Sequence, residues 1–239
     1  CYVWLQDAAG NANYGSAVSV VLYYTGGTAP SAPIGLQVTP SDWTSANSFD
    51  VTWTNPVVPA GIQAAWYKWN TAPVGPEDGV RQAGASIDRL DDLIAPEEGQ
   101  NTLYVWLEDG AGVKDHTRRS SGTARYDATA PATTHSFVPV LPASGWFTGT
   151  VTLQLSPSDA HSGVATTYHR PLGDPLWKTG TAISVTEYVT YTWKSVDNAG
   201  NEEIPREALV PGIRDILGDR DRSSGLPERD CDLGHRVCH

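Results

Sequence analysis

The chain has 239 residues, enough for one large domain or two small ones, and 40% of them are apolar, including 9 Trp and 10 Tyr, so it can build a packed core. Sixteen Lys+Arg against 27 Asp+Glu leave a net charge of −11. Such a surface repels phosphate backbones and anionic lipid, so no nucleic-acid partner is expected. No apolar run approaches the ~18–20 residues that cross a bilayer as a helix, so no membrane insertion is expected in this segment.

The chain opens on Cys1-Tyr2-Val3-Trp4-Leu5, which has the pattern of a strand interior, and no Met occurs anywhere. This predicts that residues 1–27 are the C-terminal hairpin of a truncated preceding repeat. From Ile34, apolar and polar residues alternate: Ile34, Leu36 and Val38, then Phe49, Val51 and Trp53. Further on, Val151, Leu153 and Leu155 alternate with Thr152, Gln154 and Ser156. Period two means strands with one face buried and one wet. Asn55-Pro56, Pro59-Ala60-Gly61, Glu77-Asp78-Gly79 and Asp197-Asn198-Ala199-Gly200 supply turns. Short strands every 8–12 residues, with no long helical pattern, are the signature of β-sandwiches.

Self-similarity divides the chain. YVWLQDAAGN from Tyr2, YVWLEDGAGV from Tyr104 and YTWKSVDNAGN from Tyr191 match one another, and Thr28-Ala29-Pro30 matches Thr129-Ala130-Pro131. The repeat predicts one sandwich over 28–128 and another over 129–210. Residues 211–239 hold five of the twelve Arg and no aromatic residue. They read as a disordered tail or an extension foreign to the repeats. In the third copy, Thr192 and Lys194 share one strand face, so Tyr191 and Trp193 are predicted to point into the core. Aligning the copies on their Tyr and Trp puts Tyr104 and Trp106, and Tyr2 and Trp4, inside as well, with Val105 and Leu107 outside.

The stretch SGWFTGTVTLQLSPSDAHSGVATTYHR, continuing through LWKTGTAISV to YTWKSVDNAGNEE, resembles the bacterial Ig-like repeats of secreted and cell-surface proteins. The unit before it is similar to the fibronectin type III/Ig-like repeats that alternate with them. The resemblance implies an all-β chain of tandem Ig-like/fibronectin-III-like β-sandwiches. It also implies an extracellular or cell-surface setting, and neighbouring domains of the same polypeptide as partners.

Chemistry is sparse. No G-x-S-x-G elbow, H-E-x-x-H pattern or glycine-rich phosphate loop is present. Asp91-Asp92, Glu97-Glu98 and Glu202-Glu203 are adjacent acids in polar segments, and His161-Ser162-Gly163 reads as a turn. The expectation is a non-catalytic spacer with no cofactor. Its alternative is a carbohydrate-binding accessory module of a secreted hydrolase, because flat aromatic rings can stack on pyranose faces. The candidate ligand-binding residues are the aromatics expected to be exposed, Trp66 and Trp69 of AAWYKWN and Trp177, with a polysaccharide or a cell-surface ligand as the partner. Trp43 and Trp146 precede equivalent strands and suit a shared packing role. No metal is expected. GDRDRSSG (Asp219, Asp221, Ser223, Gly225) misplaces the glycine of a calcium loop, and Asp127 supplies a single carboxylate at the repeat junction.

Overall fold

The computed structural model describes residues 2–13, 15, 17–19 and 27–212. The tail reading therefore lies almost wholly outside the described residues, as do the placements of Cys1 and of the Tyr2 side chain. The chain divides into two compact units, Cys1–Ala128 and Thr129–His239. No helix among the described residues is long and apolar enough to cross a membrane.

The first unit begins with a hairpin in which β1 (Tyr2–Val3) pairs antiparallel with β2 (Val18–Ser19). Its sandwich then runs through β3 (Ile34–Thr39), β4 (Phe49–Thr54), β5 (Ile62–Trp69), β6 (Val80–Ala83), β7 (Arg89–Leu93), β8 (Gly99–Asp109) and β9 (Lys114–Tyr126). Three strands form one sheet in the order β3-β4-β7, and four form the other in the order β6-β5-β8-β9. The second unit repeats this plan with β10 (Ala132–Val138), β11 (Val151–Ser158), β12 (Val164–Pro171), β13 (Lys178–Thr179), β14 (Ala182–Val185), β15 (Val189–Asp197) and β16 (Arg206–Val210). Its sheets are β10-β11-β14 and β13-β12-β15-β16. Both units thus place the first, second and fifth strands against the fourth, third, sixth and seventh. This three-on-four antiparallel arrangement is an Ig-like/fibronectin-III-like sandwich.

The period-two pattern meets the structure on most strands. Phe49, Val51 and Trp53 are buried in the first sandwich, and Val151, Leu153 and Leu155 in the second. Ile34 is an exception at the start of β3, where the register with β4 shifts and its side chain is left exposed.

The aromatic strand divides the two units. In the second, Trp193 lies in the core with Tyr191 packed against it, as expected. In the first, the expectation fails: Leu103, Val105 and Leu107 fill the core, and Tyr104 and Trp106 point to the other face of the sheet. Trp4 also departs from the inward assignment and is exposed. The cause is the choice of anchor.

The three copies share a turn, not a tryptophan position. Asp7, Asp109 and Asp197 each donate their N–H to the carbonyl four residues on (Asn11, Val113, Asn201) at 3.0–3.1 Å. Each carboxylate accepts that residue's N–H at 2.8–2.9 Å. The third residue after the Asp is Gly10, Gly112 or Gly200, with φ of 89°, 80° and 89°, the left-handed position of a bulged hairpin turn. Counted from this turn, Trp106 stands three residues before Asp109, but Trp193 stands four before Asp197. A slip of one residue moves every side chain to the opposite face, so Trp106 corresponds to Lys194 and Val105 to Trp193.

Candidate functional site

Trp66, expected to be an exposed platform, is buried on the outer face of the first four-stranded sheet. It lies directly opposite Trp106, and the rings stack with centroids 6.1 Å apart. The loop between β5 and β6 roofs them: Trp106 donates Nε1–H to the Pro76 carbonyl at 3.0 Å. Gly79 is required beneath that roof, because a Cβ there would stand 2.5 Å from Trp106 Cη2 and 2.6 Å from the Tyr67 carbonyl oxygen. Lys114 Nζ lies 5.2 Å from the Trp66 ring centre. Trp66 Nε1–H donates to Glu108 Oε2 at 2.7 Å, Arg81 Nη2 donates to Oε1 at 2.8 Å, and Lys114 Nζ stands 3.5 Å from Oε2. The Arg81 hydrogen bond above all, then those of Trp66 and the charge of Lys114, hold the Glu108 carboxyl below its ordinary range against the opposing effect of burial. This cluster is closed and satisfied, with no ring face free for a ligand.

Trp69 is turned the other way. It is half-buried and packs with Tyr67 against the first core, because period two along β5 puts Ala65, Tyr67 and Trp69 on the inner side.

Trp177 is half-buried and differs in setting. It lies just before β13 and meets side chains of the outer face of the second four-stranded sheet. The Arg170 guanidinium sits 4.2 Å from its ring centre and Lys194 Nζ sits 5.1 Å away. Lys194 is the register partner of Tyr168 and lies 6.0 Å from that ring, while Glu202 accepts from Lys194 Nζ at 2.6 Å. Two aromatic rings, two cations and a carboxylate therefore share one patch, a mixture that suits stacking on a sugar and hydrogen bonding to its hydroxyls. Alternation along β12 places Tyr168 and Arg170 together, and Lys194 follows from the outward reading of β15. None of the three stands out in the sequence, because Trp177 reaches them from a loop, which carries no period.

Several buried polar groups elsewhere in the second sandwich bind one another. Ser195 Oγ lies 2.7 Å from Thr133 Oγ1 and 2.9 Å from Thr167 Oγ1. Glu203 Oε1 accepts from the Thr133 N–H at 2.8 Å and from Arg206 Nε at 2.8 Å. The Ser195 hydroxyl thus lies fully buried in a hydroxyl chain, bonded to two threonine hydroxyls. Asp159 and Asp197 bring carboxylate oxygens within 4.8 Å of each other, but both already hold their own turns. Asp159 Oδ1 accepts the N–H groups of His161 and Gly163, and Asp197 accepts those of Asn201.

No protein-family model and no curated protein matches the chain. Among solved structures, it is similar to a two-domain fibronectin type III segment of chicken tenascin. That match has 13% identity, covers 75% of this chain and 98% of that one, and has a TM-score of 0.34. It is also similar to the fibronectin(III)-like modules of Clostridium thermocellum CbhA, at 8% identity over 85% of this chain and 99% of that one, with a TM-score of 0.33. The fold assignment rests on the strand order given above.

Proposed function

We propose that the chain is a pair of non-catalytic spacer and interaction repeats of a larger bacterial extracellular or cell-surface protein, joined to neighbouring domains of the same polypeptide. The observation that supports this most is how the polar side chains are used. The Trp66–Glu108–Arg81 cluster, the Ser195 hydroxyl chain and the three Asp turns all serve the scaffold. The test is to incubate the purified chain with chromogenic ester, glycoside and peptide substrates. Rates equal to buffer are expected, and turnover that scales with protein concentration and survives further purification contradicts the reading.

A second reading, a carbohydrate-binding accessory module of a secreted hydrolase, is favoured by the patch of Trp177, Tyr168, Arg170 and Lys194. Of the three candidate tryptophans, Trp177 is the one on an outer face that is neither buried nor packed against the core, with Arg170 and Lys194 at its ring. On a glycan array, saturable binding lost in Trp177→Ala would establish this reading. A folded chain that binds nothing would leave the spacer.

A further inference from the structure

The interior of the second sandwich holds a titratable ring with no place to accommodate a charge. His169 on β12 is the register partner of Trp193 on β15 and shares its inward face. It is 8% exposed, and its Nδ1 is covered and has no hydrogen-bond partner. Its surroundings are the core tryptophan, Thr167 two residues earlier on the same face, and the Tyr191 ring 6.2 Å away.

The groups that face it offer no counter-charge. From the edge strand β13 comes Lys178, its register partner and a like charge once the imidazole is protonated. From β15 comes Tyr191, whose phenol is kept neutral by burial and by the nearby Glu187. From the opposite sheet, His135 of β10 packs on the far side of the pair, 5.0 Å from the Trp193 ring centre. At β16, Arg206, the register partner of Trp193, is bound to Glu203. Arg170, the next residue along β12, lies over Trp177 on the outer face. A backbone hydrogen bond at Thr179 favours the charged ring, but burial and Lys178 outweigh it. Protonation would add an N–H at Nδ1 with no acceptor and a charge beside Lys178 in a medium of low dielectric constant.

We infer that the second sandwich carries an acid-sensitive device: protonation of His169 loosens it as the pH falls below about 6.5 while the first sandwich stays folded. Burial first, and Lys178 second, hold the imidazole below its ordinary value of 6.5. The stability this contributes is complete above that value and is lost as the pH falls, because the unfolded chain takes up the proton first. Each pH unit below about 6.5 lowers the folding equilibrium constant by up to roughly tenfold, until the folded ring itself titrates. The first sandwich has no buried histidine among its described residues; His116 is partly exposed.

The test uses the full chain, with urea unfolding at about pH 7.5 and 5.5 and peptide-resolved hydrogen exchange to assign each transition to its unit. The expected result is a fall in the equilibrium constant of the second sandwich, of up to about tenfold, and no change in the first. His169→Gln abolishes the fall, and His135→Gln leaves it in place. A second sandwich equally stable at both pH values, or one still acid-sensitive with His169→Gln, overturns the inference. Should the His169 variant fail to fold, proton NMR of the native chain decides: a His169 ring titrating below 6.5 supports the device, and one titrating at or above 6.5 overturns it.

Discussion

The two sandwiches share one strand order but differ in how their buried polar groups are satisfied. The first buries Asn101 beside its apolar core but binds it to Asn70 and to the Glu97 carbonyl, and it builds a satisfied charged cluster on the outside of its four-stranded sheet, with Glu108 bound by Trp66, Arg81 and Lys114. The second runs a polar seam through its interior: Thr133, Thr167, His169, Ser195 and Glu203 are all buried. Covered atoms without hydrogen-bond partners, His169 Nδ1, Trp193 Nε1 and Glu203 Oε2, also lie there. An unmet buried polar group costs about 1–3 kcal/mol. The contrast teaches that strand order alone does not set stability. A sandwich tolerates an aromatic strand turned either way, provided something else covers the face that receives the rings.

Substitutions test the contrast in decreasing order of effect. Trp106→Ala should cost the first sandwich about 3–5 kcal/mol although the ring is on the outer face, because it is fully buried under the β5–β6 loop. Denaturant unfolding measures this, and a loss below about 1 kcal/mol would mean that the roof is not a packed layer. Glu108→Ala should cost about 2 kcal/mol, since it strips an acceptor from Trp66 and Arg81, with the share of the partly exposed Arg81 discounted for solvent. Acid sharpens the same point. The Glu108 carboxyl is depressed in the fold, so its contribution is complete above the ordinary value of 4.5 and is lost as the pH falls below it. Acid unfolding of the first sandwich should therefore begin below that value, lower than for the second. Asp109→Ala removes two side-chain hydrogen bonds from the turn, to Ala111 and Val113. It should cost about 1–2 kcal/mol, read as a shift in Tm. Trp177→Ala should cost only about 1 kcal/mol, the scale of its cation contacts, and a much larger loss would make that ring structural.

Most of the architecture is legible from local pattern. Alternation in Phe49-Asp50-Val51-Thr52-Trp53 and Val151-Thr152-Leu153-Gln154-Leu155 marks faces that the structure buries as expected. The matched Asp and Gly residues mark turns that form with the same hydrogen bonds. The face of β8 was not legible while the copies were aligned on tryptophan. Within YVWLED every residue from Tyr104 to Leu107 is apolar or aromatic, so period two cannot choose a side. Only the distance to the turn Asp decides, and it differs by one between Trp106 and Trp193. The cluster around Glu108 was hidden for another reason. Its partners Trp66 and Arg81 are 42 and 27 residues away in sequence, and Glu108 itself looks like part of a turn. The patch at Trp177 was half legible, its strand residues following the alternation and its ring arriving from a loop.

The contrast between the interiors is tested most directly by peptide-resolved hydrogen exchange of the full chain at neutral pH, comparing β8 with β15. Slower exchange across Gly99–Asp109 than across Val189–Asp197 is the predicted result. Equal protection of the two strands, or slower exchange in β15, would contradict the claim that the buried polar seam makes the second sandwich the weaker of the two.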